Sequence, residues 1–168
     1  MFQGPTGCGK STFAIVLKNE LGCSDEDFKE VNAASNRGIE TAREIIEFCR
    51  YKPLTGDVRM VMIDEAGGTV KTFQEALLKI LEDPPSYVYL VLCTTDPQKL
   101  LKTIRNRCTK FDVEPLSDRH IKILLMRVAN EEGIELPSEV TKKIIDDAEQ
   151  KTQKIIESYY DKSLEIIP

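Results

Sequence analysis

The sequence predicts an α/β fold: a parallel sheet flanked by helices, followed by a small three-helix domain. Three observations predict it. Short, almost wholly apolar runs at residues 58–63 and 87–93 read as strands buried on both faces, and they alternate with helical patterns. A glycine-rich turn, Gly4-Pro5-Thr6-Gly7-Cys8-Gly9, leads directly into a helix. At Glu114-Pro115-Leu116 the pattern changes, and everything beyond it has helical spacing.

Taken in order, Phe13, Val16, Leu17 and Leu21 recur at helical spacing, so a helix is expected over residues 11–21, ended by Gly22. Residues 28–31 read as a short strand. Ile39, Ala42, Ile45, Ile46 and Cys49 give a second amphipathic helix, closed by Lys52-Pro53 and a turn at residues 54–57. The strand at 58–63 ends in Asp64-Glu65, and a helix over 73–81 is stopped by Asp83-Pro84-Pro85. The strand at 87–93 runs into Thr94-Thr95; a short helix ends at residues 104–108, and a last strand follows at 109–113. After that, Ile121, Leu124, Leu125 and Val128 mark one helix, and Val140, Ile144, Ile145 and Ala148 a second. Ile155, Ile156, Tyr159 and Leu164 mark the third. The expected division is a core at residues 1–114 and a helical lid at 115–168.

Composition excludes several classes. Hydrophobic residues make up 41% and charged residues 30%, and no apolar run reaches the roughly 18 residues of a membrane helix, so no membrane partner is expected. The five cysteines (Cys8, Cys23, Cys49, Cys93, Cys108) are odd in number and lack CxxC spacing, which points to reduced thiols and a cytoplasmic location. A net charge of −5 opposes a surface that grips DNA all round, so any DNA contact must use a local basic patch.

Gly4, Gly9, Lys10 and Ser11 fit the full phosphate-loop pattern GxxxxGK[ST], with Pro5, Thr6, Gly7, Cys8 and Thr12 completing the segment. Glycines let successive N–H groups turn inward toward phosphate oxygens, and the following helix adds the positive end of its dipole. Lys10 would reach the β/γ-phosphates of ATP, and the Ser11 hydroxyl would bind Mg²⁺. The bland alternative is a glycine-rich turn before a helix. Asp64-Glu65 at a strand tip supplies the other half: Asp64 to hold the Mg²⁺ shell beside Ser11, Glu65 to orient the attacking water. Two acids merely capping a strand are the alternative there.

From Val31 onward the chain resembles the γ/τ subunits of bacterial DNA polymerase III and, more distantly, the small subunits of replication factor C. The stretches that carry the resemblance are Asn32-Ala33-Ala34-Ser35-Asn36-Arg37-Gly38-Ile39-Glu40, Ile63-Asp64-Glu65, Ala76-Leu77-Leu78-Lys79-Ile80-Leu81-Glu82-Asp83-Pro84-Pro85, Thr94-Thr95-Asp96-Pro97-Gln98-Lys99 and Arg107-Cys108, in family order and spacing. The resemblance implies a P-loop core of the AAA+ class and an ATPase working in a ring of clamp-loader subunits. Such a ring opens a sliding clamp and sets it on primer-template DNA. It also implies Thr95 as the sensor-1 residue and Arg107, in Asn106-Arg107-Cys108, as an arginine finger serving the neighbouring subunit. Arg37, Lys71 and Thr72 match helix starts that face the DNA channel, with a solvated surface as the alternative.

The chain departs from that pattern in several places. Met1-Phe2-Gln3 stands where the family has a whole first strand and an adenine-contacting segment, so that strand is expected to be mostly missing. Only Cys23 remains of a zinc module, and no zinc is expected. Ala66-Gly67-Gly68 follows the acids, which suggests a loosened turn; Gln153 stands in the sensor-2 arginine position; and the sequence, ending at Pro168, is expected to stop short of the family's helical collar domain. Two other readings stay open. One is a non-hydrolysing structural subunit of the same assembly. The other is a different AAA+ protein, such as a helicase loader or Holliday-junction motor, which the stretches Ala33-Ala34-Ser35 and Leu81-Glu82-Asp83-Pro84-Pro85 disfavour.

Smaller features read blandly. Met60, Met62, Cys93 and Cys108 belong in or near the core, His120 on the surface or at a cap. Cys8 sits where helix amides activate thiols, but a small filler residue explains it too.

Overall fold

In the computed structural model, residues 1–36 and 38–147 are described, with the side chains of 146 and 147 left aside. They fall into two units, one of Met1–Gly4 with Lys10–Asp112, the other of Pro5–Gly9 with the residues from Val113 on.

The first unit carries five parallel strands, β1 (Phe2–Gln3), β2 (Phe28–Asn32), β3 (Arg59–Asp64), β4 (Val88–Thr94) and β5 (Phe111–Asp112), in the order β2-β3-β4-β1-β5. Side chains alternate between the two faces of β3. Met60 and Met62 pack with Ala14, Cys23, Val91 and Cys93 on the face covered by α1 (Lys10–Glu20). Val61 and Ile63 join the opposite cluster with Ala42, Ile45, Phe73, Leu77 and Ile104, from α2 (Ile39–Arg50), α3 (Lys71–Glu82) and α4 (Lys102–Arg107). A strand buried on both faces tends to be apolar on both, which is why Met60, Val61, Met62 and Ile63 follow one another without alternation.

Helix α1 forms where expected, but a different face of it is buried. Ala14 is fully buried and Leu17 partly, while Phe13 and Val16 stand about half exposed. With nothing beyond Cβ at Ala14, the helix backbone lies close to β3 and β4, and Phe13 turns outward to meet the Phe2 ring at 6.1 Å. Strand β1 pairs with β4 through only Cys93 and Thr94 and with β5 through Phe111 and Asp112. A hollow of about 460 Å³ adjoins it, lined by Phe2, Leu17, Tyr89, Val91 and Phe111 among others.

The amino end of β3 is fastened by one buried ion pair. Asp27 is fully buried and accepts hydrogen bonds from the backbone N–H groups of Leu54 (2.7 Å), Thr55 (3.0 Å) and Gly56 (2.9 Å) and from the Ser24 hydroxyl (2.9 Å). Arg59, at the start of β3, donates to Asp27 at 3.0 Å and to the Phe48 carbonyl at 2.7 Å, with its guanidinium over the Phe48 ring. Burial by itself would raise the Asp27 carboxyl pKa. The backbone and hydroxyl donors outweigh it and hold the group well below the usual carboxylate range.

In the second unit, α5 (Asp118–Glu131) and α6 (Ser138–Asp147) share a small core of Ile121, Leu125, Ala129 and Ile144. The Ser117 hydroxyl lies 3.0 Å from His120 Nδ1 at the start of α5. The expected third helix and Gln153 lie outside the described residues. Among the described residues no helix is long and apolar enough to cross a membrane.

Asp27→Asn is expected to lower stability at pH 7 by roughly 3 kcal/mol, because Arg59 stays buried without its counter-charge. Urea denaturation measures it. The folded pKa is depressed, so the carboxylate's contribution is fully present above the unfolded value of about 3.9 and is lost as pH falls toward the folded one. The gap between wild type and variant should therefore be constant near neutrality and narrow only below about pH 4.

Candidate functional site

The parallel register brings the carboxyl ends of the strands to one edge. Asn32 pairs with Asp64, Ile63 with Leu92, and Gln3 with Thr94, so the residues after β1, β2, β3 and β4 all emerge there. In open α/β sheets this edge, beside the strand where the order reverses, is where ligands bind.

The loop after β1 holds three glycines at positive φ, Gly4 (156°), Gly7 (76°) and Gly9 (96°), which allows the curl a phosphate cradle requires. Within it the buried Cys8 thiol donates to the Pro5 carbonyl at 2.9 Å, as a small residue closing the loop on itself. Thr6 is exposed, and Thr12 lies exposed in the first turn of α1. Lys10 is buried and donates through Nζ to the Gly4 carbonyl at 3.0 Å.

The Ser11 hydroxyl donates to Asp64 Oδ2 at 2.8 Å, a contact between residues 53 apart in sequence. A hydroxyl and a carboxylate oxygen are the hard donors that suit Mg²⁺, which keeps most of its own waters, so this pair fits the ion. The other Asp64 oxygen accepts from the Glu65 N–H at 2.9 Å. Glu65 is the only non-glycine residue with positive φ among the described residues (φ 51°, ψ 40°). Backbone strain of this kind gathers at functional sites. Nearby, Cys93 is buried, which pushes its thiol up to about 12, with the Asp64 carboxylate adding to the effect.

The turn at Ala66–Gly68 is not loose. It is a 3-10 turn with Gly68 N–H bonded to the Glu65 carbonyl at 2.7 Å and Ala66 buried. A Cβ on Gly67 would meet Thr94 Oγ1 at 3.0 Å and the Asp96 carbonyl at 3.1 Å. The glycine is there because the turn after β3 lies directly against the turn after β4. Thr94 is buried at the end of β4 and accepts from the Asp96 N–H at 3.1 Å; Thr95, one residue on, is exposed.

Arg107, the last residue of α4, donates from Nη1 to the Thr103 carbonyl at 2.9 Å and from Nη2 to Glu82, the last residue of α3. Lys71 and Thr72 are exposed in the first turn of α3, with Lys71 paired to Glu75 at 3.5 Å. Arg37 lies outside the described residues.

A sequence-family model described as DNA polymerase III, delta subunit, matches residues 26–117, more than half of the chain. The chain belongs to this family. Related members of the replication machinery follow the same lines. The chain is 31% identical over 157 residues to the DNA polymerase III subunit gamma/tau of Mycobacterium tuberculosis, covering 80% of this chain and 27% of that one. To the tau subunit of Escherichia coli it is 33% identical, covering 80% and 24%. To the replication factor C small subunit of Methanothermobacter thermautotrophicus it is 33% identical, covering 93% and 50%. It thus spans about a quarter of the gamma/tau relatives. Among solved structures, a gamma-subunit-related protein of Thermotoga maritima superposes with TM-score 0.74 at 19% identity, covering 95% of this chain and 52% of that one. The RuvB Holliday junction branch migration motor of the same organism gives 0.75 at 20%, covering 93% and 51%. At those identities the likeness is of fold: a parallel sheet flanked by helices, as in AAA+ proteins.

Sequence reasoning missed Gln74. This side chain is buried on α3, donates to the carbonyls of Thr69 (3.2 Å) and Lys99 (3.3 Å), and accepts from the Leu101 N–H (2.8 Å). A glutamine between Phe73 and Leu77, on the stripe that α3 buries, was the available signal. Gln74→Leu is expected to leave those backbone groups without partners and lower stability by about 1–3 kcal/mol, read as a lower denaturation midpoint with far-ultraviolet helicity unchanged.

Proposed function

We propose that the chain binds ATP with Mg²⁺ and hydrolyses it as a subunit of a DNA-polymerase sliding-clamp loader. The observation that carries this reading is the Ser11–Asp64 hydrogen bond, which joins the two halves of a phosphate-binding motif at the carboxyl edge of the sheet. In this reading residues 1–114 form the nucleotide-binding core and 115–168 the helical lid.

The N–H groups from Gly4 to Thr12 hold the phosphates, with the amino end of α1 favouring their charge. Lys10 exchanges the Gly4 carbonyl for a phosphate oxygen. Ser11 and Asp64 would hold Mg²⁺, the latter partly through water, and the bound ion would supply charge neutralisation at the phosphates. Glu65 orients the attacking water, and its left-handed backbone fixes where the carboxylate begins. Thr95 senses the γ-phosphate, and Arg107 acts on the nucleotide of the neighbouring subunit. The partners are other clamp-loader subunits, the clamp, and primer-template DNA met through Arg37, Lys71 and Thr72, in the cytoplasm.

Lys10→Ala is expected to abolish Mg²⁺-ATP binding in calorimetry with helicity intact; unchanged affinity would end this reading. Glu65→Gln should retain ATP and lose turnover. If wild type itself turns over no ATP with clamp and primed DNA present, the chain is instead a structural subunit that supplies Arg107 to its neighbour.

A further inference from the structure

We propose that Glu82 is the positioning residue for Arg107, holding the guanidinium in place before a neighbouring nucleotide meets it. This rests on the reading of Arg107 as acting in trans. Glu82 is the last residue of α3, a helix anchored through buried Phe73 and Leu77 and stopped by Asp83-Pro84-Pro85, so its backbone position is set by packing. Arg107 ends α4, which is anchored by buried Ile104. The arginine folds back along its own helix to the Thr103 carbonyl with Nη1, and Nη2 reaches across to Glu82.

Two of the five guanidinium N–H donors are thereby engaged, and three remain for an incoming phosphate, so anchoring and phosphate contact are compatible. Both partners are partly exposed, and a pair of that kind adds little to folding stability. Its effect is to restrict a long, rotamer-rich side chain, which is what a residue acting across a subunit boundary requires. Arg105, two residues earlier, is held differently, by the neutral Gln98 side chain at 2.7 Å. Of these two arginines, Arg107 is the one tethered by a carboxylate.

The test uses two copies of the chain assembled with clamp and primed DNA. The acceptor copy carries Arg107→Ala and an intact phosphate loop; the donor copy carries Lys10→Ala and Arg107. Adding Glu82→Ala to the donor is expected to lower kcat roughly three- to tenfold, with KM for ATP and melting temperature unchanged. Glu82→Gln should fall between, since its amide oxygen still accepts but carries no charge. In a donor that lacks Arg107, Glu82→Ala should add nothing. In the isolated chain, the Arg107 Nη resonances should show slow guanidinium rotation that becomes fast in Glu82→Ala. Fast rotation already in wild type overturns the proposal. So does an unchanged kcat while loss of Arg107 is damaging, and so does a raised kcat, which would make Glu82 a restraint on the arginine. If loss of Arg107 changes nothing, the trans reading has failed and the proposal falls with it, and the resonances then report only whether the tether exists.

Discussion

The contact between Ser11 and Asp64 depends on where β3 sits. Residues 53 apart reach 2.8 Å because β3 is a central strand, covered on both faces and held in register by β2 and β4. A slip of one residue would turn every β3 side chain to the opposite face, sending Met60 and Met62 where Val61 and Ile63 belong. The Asp27–Arg59 pair fastens the opposite end of the same strand, tying the first residue of β3 to the loops at 24–27 and 54–56. The position of Asp64 at one end is thus supported by an ion pair at the other, with the strand between.

Most of the core was legible because its signals are local. The apolar run at 58–63 and the glycine spacing of residues 4–9 each state their own structure, and the order of elements follows. What escaped the sequence was set by neighbours that periodicity does not name. Phe13 and Val16 have helical spacing, yet Ala14 decides which face of α1 comes down on the sheet, because the smallest side chain permits the closest approach. Gly67 and Gly68 suggest a loose turn when read alone. In the structure a Cβ on Gly67 would come within 3.0 Å of Thr94 Oγ1, so the glycine serves close approach. Gln74 and Glu82 take their meaning from residues more than twenty positions away.

The acidic total adds a constraint. With a net charge of −5, and with Lys71 already paired to Glu75, the start of α3 presents little unshared positive charge from its own side chains. Phosphate contacts of the proposed kind would then draw on backbone N–H groups at helix starts as much as on lysines. An exposed i,i+4 pair is weak enough to be exchanged for a phosphate, so the pairing of Lys71 does not exclude the contact.

The turn after β3 and the turn after β4 are packed against each other. Glu65 is held at a left-handed backbone that costs a non-glycine residue about 1 kcal/mol. Such a conformation persists only where surrounding contacts over-determine it. Those contacts are visible: Gly68 N–H to the Glu65 carbonyl, the Thr69 hydroxyl to the Ala66 carbonyl at 2.7 Å, and Gly67 against Thr94. Gln74 then ties the Thr69 carbonyl to Lys99 and Leu101 on the far side. The backbone at Glu65 and the end of β4 at Thr94 are thus held by one continuous set of contacts.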